Sequence, residues 1–226
     1  MKVKNIVSMI VLSMVVLMTA CDGMNDLHVG YLEEGERIYA AKVDSVSPGA
    51  GKLRVNMEVF IKSQRINKLR IYWNSYQDSL DYMINENKGV FNIMVENLPE
   101  REYLFQIVSF DKYGNHSLPV EVTSRTYGES YRSTLSNRII SSLKKGEHGE
   151  ALFSWAPAAD DAQYTVLQYT DNKNNLQIRE IDAALSQDTI SDYLPTSSFS
   201  YYTVYRPASN SPDTFDTDKE TGAMPE

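Results

Sequence analysis

The sequence predicts an all-β protein of two tandem β-sandwiches, and three observations carry that expectation. Leu53, Val55, Met57, Val59 and Ile61 alternate with polar residues over nine positions, the period of a half-buried strand. Tyr103 to Ser117 reads Y-L-F-Q-I-V-S-F-D-K-Y-G-N-H-S, with Tyr103, Phe105, Ile107 and Ser109 on one face and Leu104, Gln106, Val108 and Phe110 on the other. The pattern then recurs at an offset of 96: Met57 and Val59 match Phe153 and Trp155, Ile71 and Trp73 match Leu167 and Tyr169, and Leu98-Pro99 with Tyr103 matches Leu194-Pro195 with Phe199. A chain of 226 residues has room for two such units of about a hundred residues each.

The N-terminus is a different material. Met1-Lys2-Val3-Lys4 gives a positive start, Ile6 to Met18 is an apolar run broken by Ser8 and Ser13, and Thr19-Ala20 closes it with small residues, as in a secretory signal peptide. The run is shorter than the ~20 residues that span a bilayer. Next comes Cys21, the single cysteine of the chain, so no internal disulfide can form. Leu17-Met18-Thr19-Ala20-Cys21 resembles a bacterial lipobox, which implies cleavage before Cys21, a covalent diacylglycerol on its sulfur and an N-acyl lipid on its new amine. The alternative is an ordinary signal peptide followed by a chance cysteine. Removal of Lys2 and Lys4 leaves 20 basic against 30 acidic residues, and that acidic balance argues against nucleic acid and against a basic membrane patch.

Along the rest of the chain, Asp22 to Gly35 reads as a polar tether. Arg37 to Val46 fits an extended first strand, with a short helix as the alternative because of Ala40-Ala41, and Ser47-Pro48-Gly49-Ala50-Gly51 reads as a turn. In Lys68 to Asn74, Leu69, Ile71 and Trp73 face one way, which places Trp73 in the core or on a ligand-stacking platform. Asp78 to Ile84 and Gly89 to Val95 supply the next strands around an Asn85–Gly89 turn, and Val120-Glu121-Val122-Thr123 closes the first unit. Gly128 to Arg138 has no apolar period and reads as a linker, whereas Pro207 to Glu226 reads as a mostly disordered acidic tail.

Asn97-Leu98-Pro99 delivers Tyr103 to a strand start, where sandwich domains place a tyrosine corner, and the stretch through Ser117 resembles the E-to-G region of a fibronectin type III domain. Ala151 to Pro157 with Gln163 to Tyr169 is similar to the tryptophan and tyrosine pattern of strands B and C in that fold. The expected organisation is a signal peptide over 1–20, a lipidated tether over 21–35, fibronectin type III-like domains over 36–127 and 139–206 around a 128–138 linker, and the acidic tail over 207–226.

From Gly35 to about Tyr205 the chain resembles an uncharacterised family of Bacteroides-type surface lipoproteins, a domain of unknown function. The residues that carry this are Gly35-Glu36-Arg37-Ile38-Tyr39, Lys42-Val43-Asp44-Ser45-Val46, Arg70-Ile71-Tyr72-Trp73-Asn74, Arg125-Thr126-Tyr127-Gly128 and Asn137-Arg138. The resemblance implies an outer-membrane lipoprotein beside glycan-capture transporters, with transporter subunits, glycan-binding proteins or polysaccharide as partners. Longer members carry an added carbohydrate-binding-like module, which the sequence through Glu226 does not include.

Catalytic chemistry finds no motif. His28, His116 and His148 are scattered without H-E-x-x-H spacing, and neither a G-x-S-x-G elbow nor a glycine-rich phosphate loop occurs. Asp216 to Glu220 resembles the start of a calcium loop, but its glycine, Gly222, comes one place late. A non-enzymatic interaction or spacer module without cofactor or metal is therefore the expectation, with a carbohydrate-binding accessory as the alternative and a hydrolase as a distant third. The candidate binding surface is aromatic: Tyr72, Tyr76, Tyr82, Phe110 and Tyr113, with Tyr201, Tyr202 and Tyr205 in the second unit. Such rings stack on sugars, or they fill cross-strand pairs and the contact between the two units.

Overall fold

Alternating apolar positions bury one face of a strand and leave the other wet, so two sheets close over each other wherever the alternation holds. The computed structural model describes residues 39–85 and 88–226. The expected signal peptide, Cys21 with its expected lipid, and the expected tether lie outside the described residues.

The first module contains β1 (Ser45–Ala50), β2 (Val55–Ile61), β3 (Ile66–Trp73), β4 (Asp78–Met83), β5 (Gly89–Val95), β6 (Glu102–Asp111) and β7 (Val120–Arg125). They form a β1-β2-β5 sheet and a β4-β3-β6-β7 sheet, all antiparallel. Val55, Met57, Val59 and Ile61 face Leu69, Ile71, Phe105 and Ile107 across the core, all fully buried. Trp73 packs partly buried against this cluster, its ring 6.2 Å from Phe105. The Tyr103 hydroxyl donates to the Pro99 carbonyl at 2.9 Å, which makes a tyrosine corner.

After α1 (Glu129–Arg132), the second module repeats the plan with β8 (Ile140–Lys145), β9 (Ala151–Trp155), β10 (Ala162–Thr170), β11 (Leu176–Asp182), β12 (Gln187–Ile190), β13 (Ser198–Tyr205), β14 (Phe215–Asp216) and β15 (Glu220–Ala223). Its sheets are β12-β9-β8 and β11-β10-β13, the latter completed by β14 and β15, which both pair with β13. Three strands over four in the first module, and the same plan in the second with the edge beside β13 shared by the two short strands β14 and β15, is the fibronectin type III-like sandwich. Phe153, Leu167 and Ile190 fill the second core, with Trp155 stacked on Phe153 at 5.8 Å.

The structure corrects the sequence reading in four places. Residues 207–226 are not a disordered tail: Asp216, Asp218 and Glu220 are exposed while Phe215, Thr217 and Met224 are buried, and two short strands pair with β13. Composition hid an edge that β13 needs covered. Ser47-Pro48-Gly49-Ala50 is part of β1 rather than a turn; Pro48 is tolerated because β1 is an edge strand, where a missing amide breaks no ladder. The 128–138 segment is not a loose linker, since it contains α1 and ends in Arg138, which is 5% exposed. Arg138 donates to the carbonyls of Ala156, Leu185 and Asp182 and lies 5.8 Å over Trp155, so burial is compensated by hydrogen bonds. Finally, Phe110, one of the rings open to filling the contact between the two units, packs within its own module instead. Val108 is buried within its own sheet, and Lys68 covers Phe110, its Nζ 4.4 Å from the ring centroid.

Phe215 gives the fold a direct test. Its ring is 1% exposed, so Phe215→Ala is expected to destabilise the protein by about 3–5 kcal/mol in urea unfolding. A disordered tail would make the substitution silent.

Candidate functional site

Two places in the fold hold side chains in arrangements that sandwich formation alone does not require. The first is the junction between the modules. Asp213, in the loop between β13 and β14, reaches back to the first module, where its carboxylate accepts the Lys52 amide at 2.7 Å and Arg54 Nε at 3.0 Å. Its second oxygen accepts Arg54 Nη2, and this guanidinium holds the Asp213 carboxyl below the usual carboxylate range. Asn210 donates to the Pro48 carbonyl at 2.7 Å beside it. An aromatic trio of Tyr127, Tyr131 and Phe215 fills the centre, with centroids 4.9, 5.1 and 6.4 Å apart, and Lys52 Nζ sits 5.2 Å from the Phe215 ring.

The connecting segment is tied to both sides. Glu100 of the first module accepts the Ser130 and Tyr131 amides at 2.9 and 2.8 Å, capping the start of α1. The Tyr131 hydroxyl donates to Asp161 of the second module at 2.9 Å, and burial with that carboxylate pushes the phenol pKa up. Arg132 donates to Asp218, and Asn137 to the Asp218 carbonyl. Thr126 donates to the Pro99 carbonyl and accepts the Arg101 amide. Thus Thr126-Tyr127-Gly128 and Asn137-Arg138, two of the motifs singled out in the sequence, are the two ends of this connection.

The second place is the outer face of the β4-β3-β6-β7 sheet. Tyr72 on β3 and Tyr76 in the following turn bring their rings to 4.9 Å at a 57° tilt. Tyr76 is half exposed, and Arg70 lies 6.0 Å from Tyr72 while pairing with Asp81 on β4. The turn is unusual: Asn74, Ser75 and Tyr76 have φ of 51, 54 and 65°, three consecutive non-glycine residues in the left-handed region. Arg101 and Asp78 both bind the Asn74 side chain and hold the turn in place.

The other candidate rings are dispersed. Tyr82 does not belong to this surface: β4 turns it inward with Leu80, where it meets Phe91 edge-on at 6.3 Å. Phe110 is half-buried among Lys68, Arg70 and His116 at the opposite end of the same face. Tyr113 is exposed in the β6–β7 turn, with Lys112 over its ring. In the second module Tyr201 and Tyr205 are buried, their hydroxyls donating to Glu220 and to the Ser136 carbonyl; burial and Glu220 push the Tyr201 phenol to about 12. Tyr202 faces outward beneath Lys219. Among the described residues no group of three or more acids, histidines or cysteines is placed to hold a metal ion.

Residues 21–215 match DUF4998, a domain of unknown function. The chain belongs to this family. No curated protein matches it. Among solved structures it is similar to the chicken CNTN1 FN1-FN3 domains, with 11% identity and a TM-score of 0.43 over 83% of this chain and 65% of that one. It is also similar to a two-domain fibronectin type III segment of chicken tenascin, with 11% identity and a TM-score of 0.33 over 82% of this chain and all of that segment.

Each left-handed non-glycine residue costs roughly 1–3 kcal/mol, and Ser75 makes no side-chain hydrogen bond among the described residues that would offset this cost. Ser75→Gly is therefore expected to stabilise the protein by about 1 kcal/mol in chemical denaturation. A loss of stability would mean that the serine side chain has a role in holding the turn.

Proposed function

We propose that the chain is a non-enzymatic lipoprotein of the cell envelope, anchored through lipid on Cys21, whose two modules act as one stiff interaction or spacer unit. The observation that carries the reading is the junction: the Arg54–Asp213 pair, the aromatic trio and the Glu100 cap tie the first module, the connection and the second module together. Modules joined by a loose linker move independently by default. Here the connection is short, helical at its start and bonded on both sides, which suits a unit that sets a fixed distance between a membrane and whatever its far end meets. The lipobox-like run before Cys21 supports the anchor, and the resemblance to Bacteroides-type surface lipoproteins supports a place on the outer membrane beside glycan-capture transporters.

In small-angle scattering the full chain is expected to fit one rigid elongated shape, whereas the double variant Arg54→Ala with Asp213→Ala broadens the distribution of maximum dimensions. Data from the unaltered protein that require a bent ensemble overturn the stiff-unit reading. For the anchor, Cys21→Ser is expected to abolish labelling by palmitate and release the protein from the membrane fraction; retained labelling removes Cys21 from the assignment.

A further inference from the structure

The two modules offer an internal control for the turn that carries Tyr76. Each has a hairpin between its third and fourth strands, β3–β4 in the first and β10–β11 in the second. The second module builds it at little cost. Asp171, itself 5% exposed, accepts the Lys173 and Asn175 amides at 2.9 and 2.8 Å and the Gln177 side chain at 2.8 Å, and only Asn174 is left-handed, at φ 66°. Asparagine tolerates that region readily. Closing this hairpin on the sandwich therefore needs neither a run of strained residues nor an aromatic side chain.

The first module uses both. Its turn holds Asn74, Ser75 and Tyr76 left-handed in succession, and the result is that the Tyr76 ring lies against Tyr72 instead of pointing into solvent alone. At the position 96 residues beyond Tyr72 the second module has Gln168. Tyr76 remains half exposed despite its contact with Tyr72, so the arrangement buries little and does not serve the core. Strain held at a surface without a packing return marks a site that meets something else.

We infer that Tyr72 and Tyr76 form a binding platform for one pyranose ring of a polysaccharide. A pyranose presents an apolar C–H face to an aromatic ring and a rim of hydroxyls that need donors and acceptors together. The platform has such a rim. The Arg70–Asp81 pair lies beside Tyr72, and Gln106, which is opposite Tyr72 across the β3–β6 ladder, is bonded to Glu121 at 2.9 Å. At the rim Arg70 is paired with Asp81 and Glu121 is bonded to the neutral Gln106, so the surface offers hydrogen-bonding groups rather than a concentration of one charge, which favours a neutral ligand. The surface is an open platform, suited to an internal residue of a long chain. This assignment rests on reading the chain as an interaction module and is independent of the stiffness of its junction.

The test is affinity electrophoresis of the detergent-solubilised full chain in gels carrying mixed-linkage β-glucan, amylopectin, xylan or α-mannan, with poly-L-proline in a parallel gel. Retardation by at least one polysaccharide is expected. Tyr76→Ala and Tyr72→Ala should weaken it tenfold or more at unchanged Tm, while Tyr76→Phe, which keeps the stacking face, and Tyr113→Ala, which lies on a different turn, should retain it. Absence of retardation in all four polysaccharides, retardation untouched by Tyr76→Ala, or retardation by poly-L-proline alone overturns the assignment. None of these results alters the scattering of the two-module unit, so the two readings fail separately.

Discussion

The pairing of β13 with the last residues of the chain is the constraint on which most of the molecule depends. Without β14 and β15, β13 would present an unpaired ladder of amides and carbonyls at the edge of the larger sheet, a hazard that sandwiches manage by covering. The same segment seats Met224 in the core and lays Gly222 against the Phe199 ring, where any Cβ would collide with it. It also delivers Phe215 to the junction, with Asp213 two residues earlier. One strand pairing thus closes the second core and fixes the position of the first module relative to it.

The repeated plan makes the deviations informative. Phe199 stands where Tyr103 makes its corner bond to Pro99, so the second module gives up the hydroxyl and closes the same bend with Ser197, which donates to the Leu194 carbonyl. Arg138 is buried in the second module where the offset of 96 places the exposed Lys42 in the first, and it supplies donors to three loop carbonyls at one end of the sandwich. Substitutions of this kind conserve the hydrogen bonding of the backbone while changing which residues provide it. The Tyr72–Tyr76 turn differs in kind, because it adds strain and exposed ring where its counterpart has neither.

Alternation was sufficient to read the faces of β2, β3 and β6, since Leu69 with Ile71, and Phe105 with Ile107, carry a strong period against polar neighbours. It is weaker at β4, where Leu80 and Tyr82 face in while Met83 faces out, so both faces carry apolar residues and the period does not separate Tyr82 from the surface rings. The final strands were masked by charge. Yet the offset of 96 that matched three strands of one module to three of the other carries Val120–Arg125 onto residues 216–221, which overlap both short strands observed there. The junction and the Tyr72–Tyr76 pair were not legible, because they depend on φ values and on contacts between residues up to 162 positions apart, which no local period encodes.

Chain order gives the junction a temporal property. Every described strand of the first module is complete by Arg125, so that module can close its sandwich while the remainder is still being made. Its contact surface at Lys52 and Arg54 stays bare until Asp213 and Phe215 have emerged. Docking therefore cannot precede the first sandwich, and it waits for the loop and strand that follow β13.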